Sequence, residues 1–316
     1  MIEYAIRRIA GGLLVLFILS TFLFFLMRAV PGDVVRLQLA DASSVSEERM
    51  AQIEEELGLD EPAWQQYFTW LGGALTGDLG DSLWSNQSVV SMIAGRLPVT
   101  LELALLSIGI AVVLGLAIGV ISAIKRGGWL DGTLRVGAVT GLSIPNYFVG
   151  LLLITFMSLW FNWVPPLSYQ RPWESLSVNL QQMWMPAVAL GISVAASLAR
   201  LTRSSMLEVL GADYIRAVRA KGASEQRINL KHALRNSLVP VVTLLGLQFG
   251  ALLGGTVILE TIFSLPGIGS LVFDAVNQRD YPVIQACVIL YGGLFIAVNI
   301  VVDLAYGWID PRIRAK

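Results

Sequence analysis

Six apolar stretches recur along the chain, at about 9–27, 101–124, 134–160, 184–201, 238–259 and 283–308. A helix needs roughly 20 apolar residues to cross the hydrocarbon core of a bilayer, and each stretch is close to or beyond that length. The pattern predicts six transmembrane helices. Arg7 and Arg8 precede the first stretch as they would in a signal peptide. Its apolar core outruns the usual limit of about 15 residues, and no small-x-small cleavage site follows, so an uncleaved first helix is expected. Between the first two stretches, residues 31–98 are too patterned for a spacer. Met50, Ile53 and Leu57 share one face of a helix over 47–57, which Gly58 would stop. Pro62 opens a second short helix with Trp64, Tyr67, Phe68 and Leu71 on one side. A third amphipathic piece is expected over 88–97. Aromatic density of this kind suits the membrane–water interface, and the region reads as an external cap lying on the membrane or against a partner.

Composition agrees. Of 316 residues, 55% are hydrophobic and 14% charged, against about 25% charged in soluble domains. An all-α polytopic membrane protein follows. The one cysteine, Cys287, and the one histidine, His232, leave no disulfide framework and no His/Cys metal or Cys–His catalytic set. No GxxxxGK[ST] occurs, so the chain has no P-loop; if ATP drives it, another chain binds the nucleotide.

The distribution of Lys and Arg sets the expected orientation. With the N-terminus cytoplasmic, Arg7, Arg8, Lys125, Arg126, Arg135, the basic set between Arg200 and Arg235, Arg312, Arg314 and Lys316 fall inside. Only Arg28, Arg36, Arg49, Arg96, Arg171 and Arg279 fall outside. Both termini are therefore expected in the cytoplasm. Glu102, Glu260 and Asp303 lie toward span ends rather than at mid-membrane, where structural pairing or capping is expected of them. Without mid-membrane charges an ion-coupled secondary carrier, the alternative from another class, loses its usual machinery.

Within the spans, Gly115 and Gly119 stand at GxxxG spacing, and Gly246, Gly250 and Gly254 form a stripe four residues apart. Such stripes allow close helix approach, either inside the subunit or toward a second subunit and the translocation path. Pro145, followed by Asn146, should kink the third span.

The stretch 203–240 is the polar exception. A short helix is expected from Asp213 to Lys221, with Asp213 as its N-terminal cap and Gly222 as a left-handed stop. Ala217 and Ala220 keep its surface low enough to enter a groove. Ser224 then caps a second helix over 225–236. Such a loop could equally be a solvated marker of topology. A nucleic-acid surface is a poor reading, because the patch lies against a membrane.

The run Tyr214-Ile215-Arg216-Ala217-Val218-Arg219-Ala220-Lys221-Gly222-Ala223 resembles the cytoplasmic loop of inner-membrane permeases of ATP-binding-cassette (ABC) importers, the oligopeptide/dipeptide/nickel branch in particular. The same branch is echoed in order by Pro31-Gly32-Asp33, Leu57-Gly58-Leu59-Asp60 with Pro62, Gly77-Asp78-Leu79-Gly80 with Ser82, and Arg96-Leu97-Pro98. Glu260-Thr261-Ile262-Phe263-Ser264-Leu265-Pro266-Gly267-Ile268-Gly269, Arg279-Asp280-Tyr281-Pro282 and Asp310-Pro311-Arg312 continue it. The broader loop signature begins Glu-Ala-Ala; here Arg216-Ala217-Val218 stands in its place, as in the peptide branch.

The resemblance implies a type I importer permease fold with a first helix over 1–30, an external cap over 31–98, a five-helix core over 99–310 and a cytoplasmic tail over 311–316. It implies alternating access and no catalysis. This chain would hold no cofactor, with ATP and Mg bound by two partner ATPases. A second homologous permease and an extracytoplasmic substrate-binding protein would complete the assembly in the bacterial inner membrane. Asp213, Tyr214, Arg216, Ala217, Arg219, Ala220, Lys221, Gly222 and Ala223 would contact the ATPase. Asp78, Glu260, Phe263, Pro266, Gly267, Arg279 and Asp280 would form the external gate or the surface for the binding protein. Peptides come first as cargo; nickel complexes, glutathione-like compounds, opines and short saccharides remain alternatives.

Overall fold

The structure, a computed structural model, describes residues 2–29 and 61–309, with side chains over 6–29 and 61–302. The expected helix over 47–57 with its Gly58 stop, the Pro31-Gly32-Asp33, Leu57–Asp60 and Asp310-Pro311-Arg312 motifs, the Asp303 side chain and the tail lie outside those residues.

Eleven helices form among the described residues, and no strand does beyond an isolated bridge between Asp81 and Ser88. They are α1 (Ile2–Ala29), α2 (Ala63–Thr76), α3 (Val89–Ile124), α4 (Trp129–Ser143), α5 (Asn146–Phe161), α6 (Leu176–Leu210), α7 (Asp213–Ala220), α8 (Glu225–Gly255), α9 (Val257–Ile262), α10 (Ile268–Gln278) and α11 (Tyr281–Ile309). Within α8 the hydrogen bonding widens to i→i+5 over Ile228–Leu234. α1, α3, α6, α8 and α11 are each long and apolar enough to cross a membrane. At about 1.5 Å per residue, the 36 residues of α3 reach well beyond a hydrocarbon core about 30 Å thick.

Two expectations change here. The third span is not one kinked helix: α4 and α5 meet at 101°. Ile144 and Pro145 both have extended backbone, because a proline pushes its predecessor out of the helical region. Counting this bent pair as one crossing gives six spans. The amphipathic piece at 88–97 is not separate either; it forms the first turns of α3, which runs on through Pro98.

The chain forms two compact units, Met1–Pro98 with Pro266–Ile296, and Val99–Leu265 with Ala297–Lys316. In the first, Val89, Ile93, Ile268, Leu271, Ala275, Ile284 and the wholly buried Cys287 make the core. α2 begins behind Pro62, as expected, and ends on left-handed Gly77. It hangs on α1 by its aromatic face. Tyr67 and Trp70 pack on Phe24, the hydroxyls of Tyr67 and Thr21 lie 2.7 Å apart, and Arg28 donates to the Gln66 side-chain oxygen at 2.9 and 2.7 Å. Trp64 and Phe68, expected beside Tyr67, stay exposed.

α6 is the hub of the second unit, packing on α4, α5 and α8. Gly115 and Gly119 let α3 approach it: a Cβ on either would lie under 3 Å from Leu198 or Thr202. Gly246 likewise admits Val302 of α11, and Gly250 is buried. Gly254 faces open space.

Candidate functional site

α7 begins after Gly211 and Ala212, which break α6. Asp213 is its first helical residue rather than its cap; Ala212 holds the cap position and no side chain caps the end. Ile215 is fully buried and anchors the helix. Asp213, Tyr214, Arg216, Ala217, Arg219, Ala220 and Lys221 all stand exposed, and Ala223 is half-buried. Gly222 stops the helix at φ +83°. The Gly222 amide donates to the Arg219 carbonyl at 3.0 Å and the Ala223 amide to the Val218 carbonyl at 3.4 Å, which is a Schellman closure.

Two side-chain ties bind α7 to α8. Arg219 grips Glu225 through both carboxylate oxygens at 2.6 and 3.1 Å, which raises the guanidinium pKa. The Asn236 amide donates to the Tyr214 hydroxyl at 2.7 Å. Ser224 caps α8 as expected, accepting from the Arg227 amide. The second helix does not end at 236; it continues to Gly255. The result is a small stiff knob with one inward residue and a low alanine surface facing out.

The residues expected at the external gate separate by burial. Glu260 is fully buried and accepts from the Thr100 hydroxyl at 2.8 Å. Phe263 packs against Gly150. Asp280 is 2% exposed; it accepts from the Ser82 hydroxyl at 2.5 Å and the Leu83 amide at 3.3 Å, pinning the Gly77–Ser82 loop beside the start of α11. Gly267, buried, holds the cap position of α10. Asp78 is exposed, its carboxylate closing a turn on the Gly80 amide at 2.9 Å, while Pro266 and Arg279 are half-exposed. Most of this set is framework that shapes a surface rather than the surface itself. Pro145 is exposed and Asn146 half-buried at the α4–α5 bend.

Three features escaped the sequence reading. Asp131, 2% exposed, accepts from Arg203 at 2.9 Å twice, from the Ser122 hydroxyl at 2.5 Å and from the Gly127 amide at 3.0 Å. A lone acid among Lys125, Arg126 and Arg135 was its only signal. Gln182, buried on α6, donates to the Pro166 and Ser168 carbonyls at 2.9 and 2.6 Å and accepts from the Gln170 amide at 3.1 Å. Beside it Tyr169 donates to Glu102 at 2.8 Å, and burial with that carboxylate pushes the phenol pKa up. No set of three or more His, Cys, Asp or Glu side chains able to hold a metal occurs among the described residues.

Residues 115–315 match the family of binding-protein-dependent transport system inner membrane components, and residues 1–104 match its N-terminal counterpart. The chain belongs to this family of ABC importer permeases. The permease is 41% identical over 319 residues to the glutathione transport system permease protein GsiC of Escherichia coli K12 and to that of Shigella dysenteriae serotype 1, with 100% of each chain covered. Its fold matches the inward-facing methionine ABC transporter MetNI at a TM-score of 0.57 and 20% identity, over 69% of the permease and 96% of that chain. An amino acid ABC transporter with histidines matches at 0.54 and 16%, over 69% and 94%. The permease is thus a multi-pass inner-membrane transport subunit and not an enzyme; hydrolysis of ATP belongs to partner chains.

Proposed function

We propose that the permease carries short peptides, glutathione-type tripeptides among them, and that α7 is the element its ATPase grips. The observation that carries the coupling reading is the α7 knob: one buried anchor, an exposed alanine surface and two ties to α8. Such a unit moves as a body when pushed. The cargo reading rests on full-length 41% identity to a glutathione permease. In this reading both termini are cytoplasmic, as the Lys and Arg distribution favours. A second, homologous permease completes the pathway. Two ATPases bind ATP and Mg on the inner side. A substrate-binding protein delivers cargo to an outer surface that the cap at 31–98 and the 261–282 segment supply.

Ala217→Trp tests the coupling reading. The exposed position accepts the ring without touching the core, whereas a groove shaped for alanine does not. The expected result is normal membrane insertion, loss of ATPase co-purification and loss of glutathione uptake. Wild-type co-purification and uptake would overturn it. In the same vesicles, an excess of linear di- and tripeptides should compete with labelled glutathione when the cognate binding protein is present; competition by nickel complexes or saccharides alone would overturn the cargo class.

A further inference from the structure

The Asp131 cluster carries a role that family membership does not assign. Asp131 lies at the start of α4, where the turn from α3 ends, and is almost wholly buried. Donors from three separate stretches fill its carboxylate: Ser122 near the end of α3, the Gly127 amide in the turn, and both Nε and Nη2 of Arg203 on α6. Arg135, one turn along α4, stands at 3.8 Å and is mostly exposed, adding little. A guanidinium held through two parallel hydrogen bonds fixes direction as well as distance. Arg203 sits in the final turns of α6, which lead through Gly211 and Ala212 directly into α7. Asp131 begins the first arm of the α4–α5 pair, bent by 101°. The ion pair therefore joins the stem that carries α7 to the base of the bent pair.

Burying the Asp131 carboxylate and half-burying the Arg203 guanidinium costs desolvation that an apolar contact of the same volume avoids. An apolar contact between helices also slides, whereas the fork does not. We propose that the Asp131–Arg203 pair is the positioning link through which displacement of α7 passes from α6 to α4, and across the bend to α5. The proposal rests on reading α7 as the ATPase contact.

The test uses the whole transporter in vesicles, with cargo imported and ATP hydrolysed measured together. Asp131→Asn keeps the shape and removes the charge; Arg203→Lys keeps the charge and loses the fork. Both are expected to leave the ATPases bound and hydrolysing, while cargo imported per ATP falls about two- to thirtyfold, more for Asp131→Asn. A purely structural role would lower uptake and hydrolysis together, in step with the amount of assembled complex, and that result would overturn the proposal, as would an unchanged ratio. If Asp131→Asn fails to assemble because the half-buried Arg203 is left without its partner, the double variant D131N/R203Q, which removes both charges, decides by the same ratio. Loss of the ATPases from all of these variants also overturns it. Ala217→Trp keeps the two ideas apart: bound ATPases there defeat the coupling reading, whatever the Asp131 variants do.

Discussion

One added carbon separates two kinds of glycine in the permease. At Gly119 a Cβ would lie 2.6 Å from the Thr202 Cβ and 2.8 Å from the Ala199 carbonyl oxygen; at Gly254 it would meet nothing within 4 Å. Gly119→Ala should lower the stability of the detergent-solubilised chain by about 1–3 kcal/mol, the usual cost of overpacking. Gly254→Ala should be neutral or raise it by up to about 1 kcal/mol, since glycine is costly within a helix. Thermal unfolding of the two variants checks both signs; a Gly119→Ala protein as stable as the parent would refute the close α3–α6 crossing. The spacing of these glycines is legible in the sequence, but which of them are packed is not, because that depends on helices far along the chain. Gly222 and Ser224 are legible for the opposite reason: a left-handed stop and a hydroxyl cap are decided within a few residues. Asp131 is the extreme case. An acid near a helix start already suits the helix dipole, so nothing local announces that its partner stands 72 residues away.

At the scale of elements, starts and stops with a local cause were readable: Pro62 before α2, and Gly222 after α7. Pro145 announced a kink, not a break of 101°, since the turn arises from two consecutive extended residues, Ile144 and Pro145. The start of α3 was misread because an amphipathic segment at 88–97 passes through Pro98 into an apolar one with no end signal between them. The strap over 162–175 was invisible, as its anchors Asn179 and Gln182 look like polar residues at the mouth of a span. Gln182→Leu should loosen it, with the Asn179–Gln170 and Tyr169–Glu102 hydrogen bonds still in place. Three hydrogen bonds would be lost, each worth about 0.5–1.5 kcal/mol net. Protease added to the detergent-solubilised chain should then cut the strap several times faster than in the parent, while the helices survive. Equal cleavage rates would show that the strap is held by other contacts.

At the scale of the molecule, the compact units are discontinuous in sequence. The first is closed by the Ser82–Asp280 hydrogen bond between residues 198 apart, a long-range pairing that periodicity does not encode. The family, by contrast, was readable almost end to end, because its motifs are local runs. The scarcity of charge within the spans makes a direct prediction about driving force. Vesicles holding the permeases without their ATPases should show no uptake under a proton or sodium gradient, and uptake should appear once ATPases, ATP and binding protein are added; gradient-driven uptake by the permeases alone would refute an ATP-powered mechanism. The last consequence concerns chemistry between carrier and cargo. Thiol–disulfide exchange requires a thiolate to reach a disulfide sulfur. The only sulfhydryl in the permease is that of Cys287, enclosed in the core of the first unit with no exposed surface. A glutathione cargo, as proposed above, would therefore meet no exposed thiol on this chain with which to form a mixed disulfide, and would leave the carrier chemically unmarked.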